Sequence, residues 1–243
     1  MNAVDLRQRL YQNYVTTHLQ NVHNISPESF ESFRTIYRAR YGAWLPEDKQ
    51  ASMLEIGCGY GSFLYFLQKE GYANAFGVDI SPEQVELAKS LGVKNVKLAE
   101  NLMFLKSNKR TFHLIAAFDV IEHYNREEMF ELLAAAYDAL LEDGVLLLQT
   151  PNADGPFAGR YRYYDFTHEI AFTRYSISQV LSALSFRNVE VFPVEPVVHG
   201  FNSALRWVFW KLIRQVLLFY LTVETGSGKD HILTQNLIAV ARK

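Results

Sequence analysis

The stretch 54-LEIGCGYGSF-63 sets Gly57, Gly59 and Gly61 at alternate positions behind a short apolar run. A strand that passes through bare glycine backbone into a helix offers N–H groups to a ligand at the carboxyl end of a sheet. The dinucleotide fingerprint requires a third glycine where Ser62 stands, which weighs against NAD or FAD. Asp79 closes the next strand-like run, where a carboxylate can accept hydrogen bonds from the vicinal hydroxyls of a ribose. An adenosine ligand is therefore implied; the bland alternative is a turn aspartate at a strand end. The other polar concentration is 150-TPNADGPFAGRYRYYDFTHEIAFTR-174, dense in tyrosine, arginine, Asp165, His168 and Glu169.

These residues need a scaffold, and the pattern of apolar runs supplies one. MLEI (53 to 56), AFGVDI (75 to 80), NVKLA (95 to 99), FHLIAAFDV (112 to 120) and VLLLQT (145 to 150) read as strands alternating with helical patterns. That order implies an α/β fold with a mostly parallel sheet covered by helices on both faces. Ser81-Pro82-Glu83-Gln84 combines an N-cap, a proline at N1 and a glutamine at N3, with Gly92 as the stop. Asn125 with Glu128 opens a second helix running to Asp143-Gly144, and Ser176 with Gln179 opens a third. NVEVFPV (188 to 194) and NLIAVARK (236 to 243) supply two late strands. Residues 1 to 50 read as an N-terminal helical cap or lid rich in aromatics, ahead of a domain over 51 to 243. That domain carries an acceptor loop at 150 to 174 and an apolar helical insertion at 202 to 225.

With 243 residues, 49% hydrophobic and 21% charged, the chain can bury the core of one large domain. A net charge of -2 and no basic run leave nucleic acid without a footprint. Cys58 has no mate, so neither a disulfide framework nor zinc-type Cys/His spacing is present, and a reducing compartment fits. MNAVDLRQRLYQNY lacks the apolar core of an export signal, which places the chain in the cytoplasm.

Taken in order, LEIGCGYG, GVDIS and AFDVIEHY resemble the successive motifs of class I S-adenosylmethionine-dependent methyltransferases, a likeness extending over about residues 51 to 190. The resemblance implies a Rossmann-like doubly wound sheet with an antiparallel C-terminal strand, and S-adenosyl-L-methionine as cofactor. It implies a seat for the methionine end on Glu55, Gly57, Cys58, Gly59 and Gly61, and for the ribose on Asp79 with Ile80. Glu100, Asn101 and Leu102 would flank the adenine, with Glu100 standing where aspartate is commoner, and Phe118, Asp119 and Val120 would lie near the sulfonium.

Methyl transfer from a sulfonium is an in-line displacement, and holding donor and acceptor in attack geometry is worth about 7 to 11 kcal/mol. A hydroxyl acceptor also needs a base for its proton. His168, oriented by Asp165 or Glu169, is the proposed base, with His123 as second candidate. The competing reading is that His168 and Asp165 only cap the helix near Thr173 or pin the loop. No paired-carboxylate motif is assigned to a metal. Pro151-Asn152 and DFTHEIAFT also resemble bacterial methyltransferases that act on sugar hydroxyls of surface polysaccharides, which implies a glycan or glycolipid acceptor and a role in polysaccharide biosynthesis. Tyr161, Tyr163, Tyr164 and Phe166 could stack on a sugar or another planar ring. A small aromatic or quinone-like hydroxyl is the rival acceptor, and a non-catalytic cofactor-binding module the rival class.

Residues 204-ALRWVFWKLIRQVLLFYLTV-223 are the most hydrophobic stretch, yet Arg206, Lys211 and Arg214 interrupt it. At about 100° per residue these cations share one face, and their charge argues against spanning a membrane. Two readings stay open: an interfacial helix with its cations and Trp207 and Trp210 at headgroup level, or a helix packed on the domain or on a second copy.

Overall fold

The structure is a computed structural model that describes residues 10–17, 26–228 and 231–243. The part of the proposed cap at 1–9 and 18–25 lies outside the described residues. Seven strands form one sheet: β1 Met53–Ile56, β2 Ala75–Asp79, β3 Val96–Leu98, β4 Phe112–Phe118, β5 Leu140–Pro151, β6 Arg187–Pro193 and β7 Asn236–Arg242. Their order is β3-β2-β1-β4-β5-β7-β6. Strands β1 to β5 pair in parallel, while β7 runs antiparallel to both of its neighbours. This is the mostly parallel, doubly wound sheet expected from the alternation of runs. The strand order reverses between β1 and β4, so a crevice opens there at the carboxyl ends of the strands.

Helices flank the sheet: α1 Tyr14–Thr17, α2 Pro27–Tyr41, α3 Ser62–Lys69, α4 Pro82–Ser90, α5 Asn101–Lys106, α6 Arg126–Ala139, α7 Ala158–Arg162, α8 Arg174–Ala183 and α9 Phe201–Thr225. Two 3₁₀ turns, Gly42–Trp44 and Ile121–His123, join them. The period of two in β4 and β5 sends Ile115, Ala117, Leu146 and Leu148 to one face, against Leu132, Leu133 and Ala136 of α6. Leu114, Ala116, Val145 and Leu147 face the other side, against Phe63, Phe66 and Leu67 of α3. Helix α2 lies over that second layer, where Tyr41 stacks on Phe118 with ring centroids 4.5 Å apart.

Two helix boundaries differ from the expectation. Helix α6 stops at Ala139 because Leu140 turns extended, with ψ of 145°, and joins the sheet opposite Phe112. Helix α8 is capped by Thr173 rather than Ser176: the Ser176 amide donates to Thr173 Oγ1 at 3.2 Å, and the Thr173 amide donates to Ser176 Oγ at 2.9 Å. Ser176 is thus the N3 partner in a reciprocal box, a position from which it also resembles a start signal.

Helix α9 departs most from a packed element, since Ser203 alone among its 25 residues is buried. Lys211 turns toward the body and pairs with Glu195 at 2.7 Å, and Arg214 lines a small cavity with Trp210 and Glu195. An ion pair thus holds Lys211 inward and leaves the outer face of α9 to Val208, Phe209, Leu212, Ile213, Val216 and Phe219. No helix among the described residues is long and apolar enough to cross a membrane.

Candidate functional site

A cavity of about 690 Å³ opens at the switch point between β1 and β4. Its floor begins at the glycine loop, which takes positive φ at Gly57 (62°) and Gly59 (55°). Side chains are excluded for a second reason. A Cβ on Gly57 would lie 2.5 Å from Val120 Cγ2, and one on Gly59 would lie 2.7 Å from Gln84 Oε1.

The loop is braced by side chains that sequence reasoning had pointed at the ligand. The Gly59 amide donates to Asp79 Oδ2 at 2.8 Å, and the Ser81 amide donates to Asp79 Oδ1 at 2.8 Å. Asp79 is buried at the cavity wall, and desolvation lifts its carboxyl above the usual range against the pull of those amides. Each carboxylate oxygen keeps a second lone pair, so the brace does not preclude a ribose contact. Asn101 accepts from the Gly57 amide at 3.2 Å and donates to the Tyr124 hydroxyl at 3.0 Å. Glu100 caps α5, accepting from the amides of Leu102 at 3.1 Å and Met103 at 2.7 Å. Ile80, Leu98 and Leu102 supply an apolar wall suited to a planar base.

Of the residues expected at the cofactor, Gly57, Asp79, Ile80, Glu100, Asn101, Leu102, Asp119 and Val120 line the cavity. Glu55, Cys58, Gly59, Gly61 and Phe118 stand behind this lining instead. Glu55 is buried beside the loop, and desolvation, with Asp79 nearby, raises its carboxyl. Cys58 is buried with its thiol pushed up by desolvation, and its sulfur would meet a Cβ on Gly77 at 2.8 Å. Phe118 belongs to the aromatic layer under α2, 4.7 Å from the Phe63 ring.

Asp119 sits at the end of β4 with φ of 54°, a strained value for a residue other than glycine. Gln149 donates to its Oδ2 at 3.1 Å and Asn236 to its Oδ1 at 3.0 Å, while Tyr41 donates to Gln149 at 2.7 Å. One edge of Asp119 opens on the cavity, yet the packed surroundings desolvate its carboxyl and push it up to about 6 despite the Gln149 bond.

The polar corner lies beyond Asp119. His123 lines the cavity, and its ring meets that of His168 edge-on at 4.7 Å between centroids. The orienting role expected of Asp165 falls to a different imidazole. Asp165 Oδ1 accepts from Thr167 Oγ1 at 2.7 Å, and Thr167 Oγ1 is 2.7 Å from His123 Nδ1, so the carboxylate acts on His123 through a hydroxyl. His168 Nδ1 is held by the Tyr161 carbonyl at 3.0 Å. Glu169 is exposed, and its amide donates to the Glu122 carbonyl at 2.7 Å. Burial raises the Asp165 carboxyl, but bonds from Tyr14 and Thr167 outweigh it and hold the group at about 2.

The acceptor loop is closed at its base. The buried Asn152 amide group donates to the carbonyls of Ile232 at 2.5 Å and Thr234 at 2.8 Å, and the Ala153 amide donates to the Phe172 carbonyl at 2.7 Å. Between these pins Tyr163, Tyr164 and Phe166 project into solvent.

Sequence reasoning missed part of the lining. Tyr11, Gln12 and Tyr14 of the N-terminal segment face the cavity, as do Gln84, Tyr124 and Glu128. Tyr14 donates to Asp165 Oδ2 at 2.6 Å, and the Val15 amide and Thr16 hydroxyl bind Glu83 at 2.9 and 2.7 Å. Only the aromatic density of the segment signalled this, because both partners lie far along the chain.

A family model described as a methyltransferase domain matches residues 30–191. The EEF1A lysine methyltransferase 2 of Homo sapiens is 36% identical over 89 residues, 32% of this chain and 38% of that protein. Sphingolipid C9-methyltransferase 1 of Gibberella zeae is 22% identical over 210 residues, 73% of this chain and 40% of that protein. The chain thus spans well under two thirds of the length of these curated relatives. A solved SAM dependent methyltransferase from Archaeoglobus fulgidus shares the fold with a TM-score of 0.64 at 24% identity, covering 89% of this chain and 97% of that one.

Proposed function

The chain belongs to the methyltransferase domain family, and from that premise we propose that it moves a methyl group from S-adenosyl-L-methionine to a hydroxyl of a glycan or glycolipid. The donor fits the cavity by the chemistry of its walls: the bare backbone at Gly57 lets the methionine end approach closely, Asp79 suits the ribose, and Ile80 and Leu102 suit the base. Asp119 and Val120 then lie near the transferred methyl.

The observation that carries the oxygen acceptor is the paired imidazole corner of His123 and His168 at the cavity wall. A neutral amine can attack a sulfonium carbon through its own lone pair, whereas a hydroxyl has to lose a proton as the bond forms. This corner supplies groups suited to that loss, with His123 oriented by Thr167 and Asp165. On the same loop as His168, the exposed rings of Tyr163, Tyr164 and Phe166 offer flat apolar faces for a sugar.

A lipid carrier for that sugar accords with α9, whose outward apolar face lies on the same chain as the acceptor loop. The sphingolipid relative acts on a lipid by its name, though at carbon. Peripheral contact of α9 with the inner face of the membrane belongs to this proposal; self-association through 204–223 is the competing use of the same surface. The test is a panel of acceptors with labelled donor: free glycans, lipid-linked glycans, small aromatic hydroxyls and lysine peptides. Label on a glycan or glycolipid hydroxyl is expected. Label confined to amines or to phenolic hydroxyls would overturn the acceptor, and donor binding with no transfer to any acceptor would favour a binding module.

A further inference from the structure

Glu122, His123 and His168 bring one potential ligand atom each to within 4.8 Å of one another. Glu122 is fully buried. Its Oε2 accepts from the Thr150 hydroxyl at 3.0 Å, while its Oε1, equally buried, has no hydrogen-bond partner. A buried carboxylate oxygen left unpaired is costly and asks for an explanation.

The two rings are set as metal-ligating imidazoles are set. A carbonyl can only accept, so the His168 Nδ1 that lies 3.0 Å from the Tyr161 carbonyl carries the proton. The Thr167 hydroxyl gives its proton to Asp165, so toward His123 Nδ1 it can only accept, and that nitrogen is protonated as well. A ring so held, when neutral, carries its lone pair on Nε2. Each of the three groups thus has an outer partner fixing its orientation: Thr150 for the carboxylate, the Tyr161 carbonyl for one ring, and Thr167 with Asp165 for the other. Such outer partners are the usual companions of first-row metal ligands.

We propose that Glu122 Oε1 and the Nε2 atoms of His123 and His168 bind one divalent transition-metal ion. Two imidazoles and one carboxylate match zinc and its neighbours, whereas magnesium prefers oxygen and water. Three protein ligands leave a coordination place open. Because His123 also forms the cavity wall, the ion would sit at the edge of the cavity.

Its role in catalysis rests on the hydroxyl-acceptor reading. An acceptor oxygen on the ion becomes more acidic and gives its proton to water. The oxygen pair forms the new O–C bond, and the S–C pair stays on sulfur as the donor leaves as a neutral thioether. The imidazoles then act through the ion rather than taking the proton themselves.

The experiment strips the full chain with a chelator and titrates it with Zn²⁺ alone by calorimetry, and with Co²⁺ alone by visible absorption. One ion per chain is expected, with Co²⁺ bands of low-symmetry imidazole–carboxylate coordination, and Mg²⁺ should not compete. His168→Ala and the isosteric Glu122→Gln should each weaken Zn²⁺ binding by about tenfold or more, while S-adenosylhomocysteine affinity, which reports an intact fold, stays near the starting value. A variant that loses both affinities has unfolded, and the other variant then decides. No saturable Zn²⁺ uptake by the starting protein, or unchanged uptake by a folded variant, overturns the site. Zn²⁺ bound without methyl transfer to any hydroxyl removes the acceptor reading and keeps the metal; hydroxyl methylation without Zn²⁺ uptake does the reverse.

Discussion

The two walls of the cavity are made of different material. The donor wall is tied to main chain: a glycine loop, a strand end and a capped helix start, with Asp79, Asn101 and Glu100 each bonded to nearby backbone amides. The acceptor wall is largely side chain: His123, Thr167, Asp165 and Tyr14 come from three segments and hold one another by hydrogen bonds. A wall of backbone suits a ligand that never changes. A wall of side chains can be remodelled, which fits a family whose relatives here act on lysine and on a sphingolipid.

That contrast predicts where each wall breaks. Gly57→Val should be the most damaging change, because its Cβ would meet Val120 Cγ2 at 2.5 Å in a backbone region closed to branched residues. A strain of about 1–3 kcal/mol plus the displaced Val120 wall should reduce S-adenosylhomocysteine affinity by about a hundredfold, read by calorimetry. His123→Ala tests the other wall: turnover should fall by about a hundredfold or more with donor affinity kept, and equal loss of both would show that the walls are not separable. Asp79→Ala should weaken donor binding by about tenfold, since it removes both the loop brace and the ribose acceptor.

Tyr14→Phe should have the smallest effect and a pH signature. With Asp165 held at about 2, below its ordinary 3.8, the stability it contributes is present above 3.8 and is lost as pH falls through about 2. Removing the Tyr14 bond moves the folded value up, so the variant is less stable at neutral pH and the gap to the starting protein closes on acidification. Denaturant melts across the acid range would show it, and a gap independent of pH would assign the loss to packing.

The sheet and the donor wall were legible because their signals are local. Apolar runs, the Ser81 cap and the glycine spacing each announce themselves within a few residues, and Asp79 follows from the end of its strand. The sequence could not show that Asp79 and Asn101 also tie down the loop, because those bonds join segments 20 and 44 residues apart. The acceptor wall was legible only as a list of residue types. That His123 and not His168 answers to Asp165 depends on how the loop after β5 folds back between its pins at Asn152 and Phe172. Helix α9 shows the same limit: its period put three cations on one face, but only the Glu195 ion pair reveals that Lys211 looks inward.

The N-terminal segment has a consequence for the cavity. Anchored to Glu83 on the donor side and to Asp165 on the acceptor side, it joins the two walls across the cavity mouth. Tyr11, Gln12 and Tyr14 of this segment also line the cavity, so the tie is part of the wall a ligand would meet. Each end of this tie rests on one carboxylate, Asp165 for the Tyr14 hydroxyl and Glu83 for Val15 and Thr16, so a single substitution at either end would remove the bonds on that side.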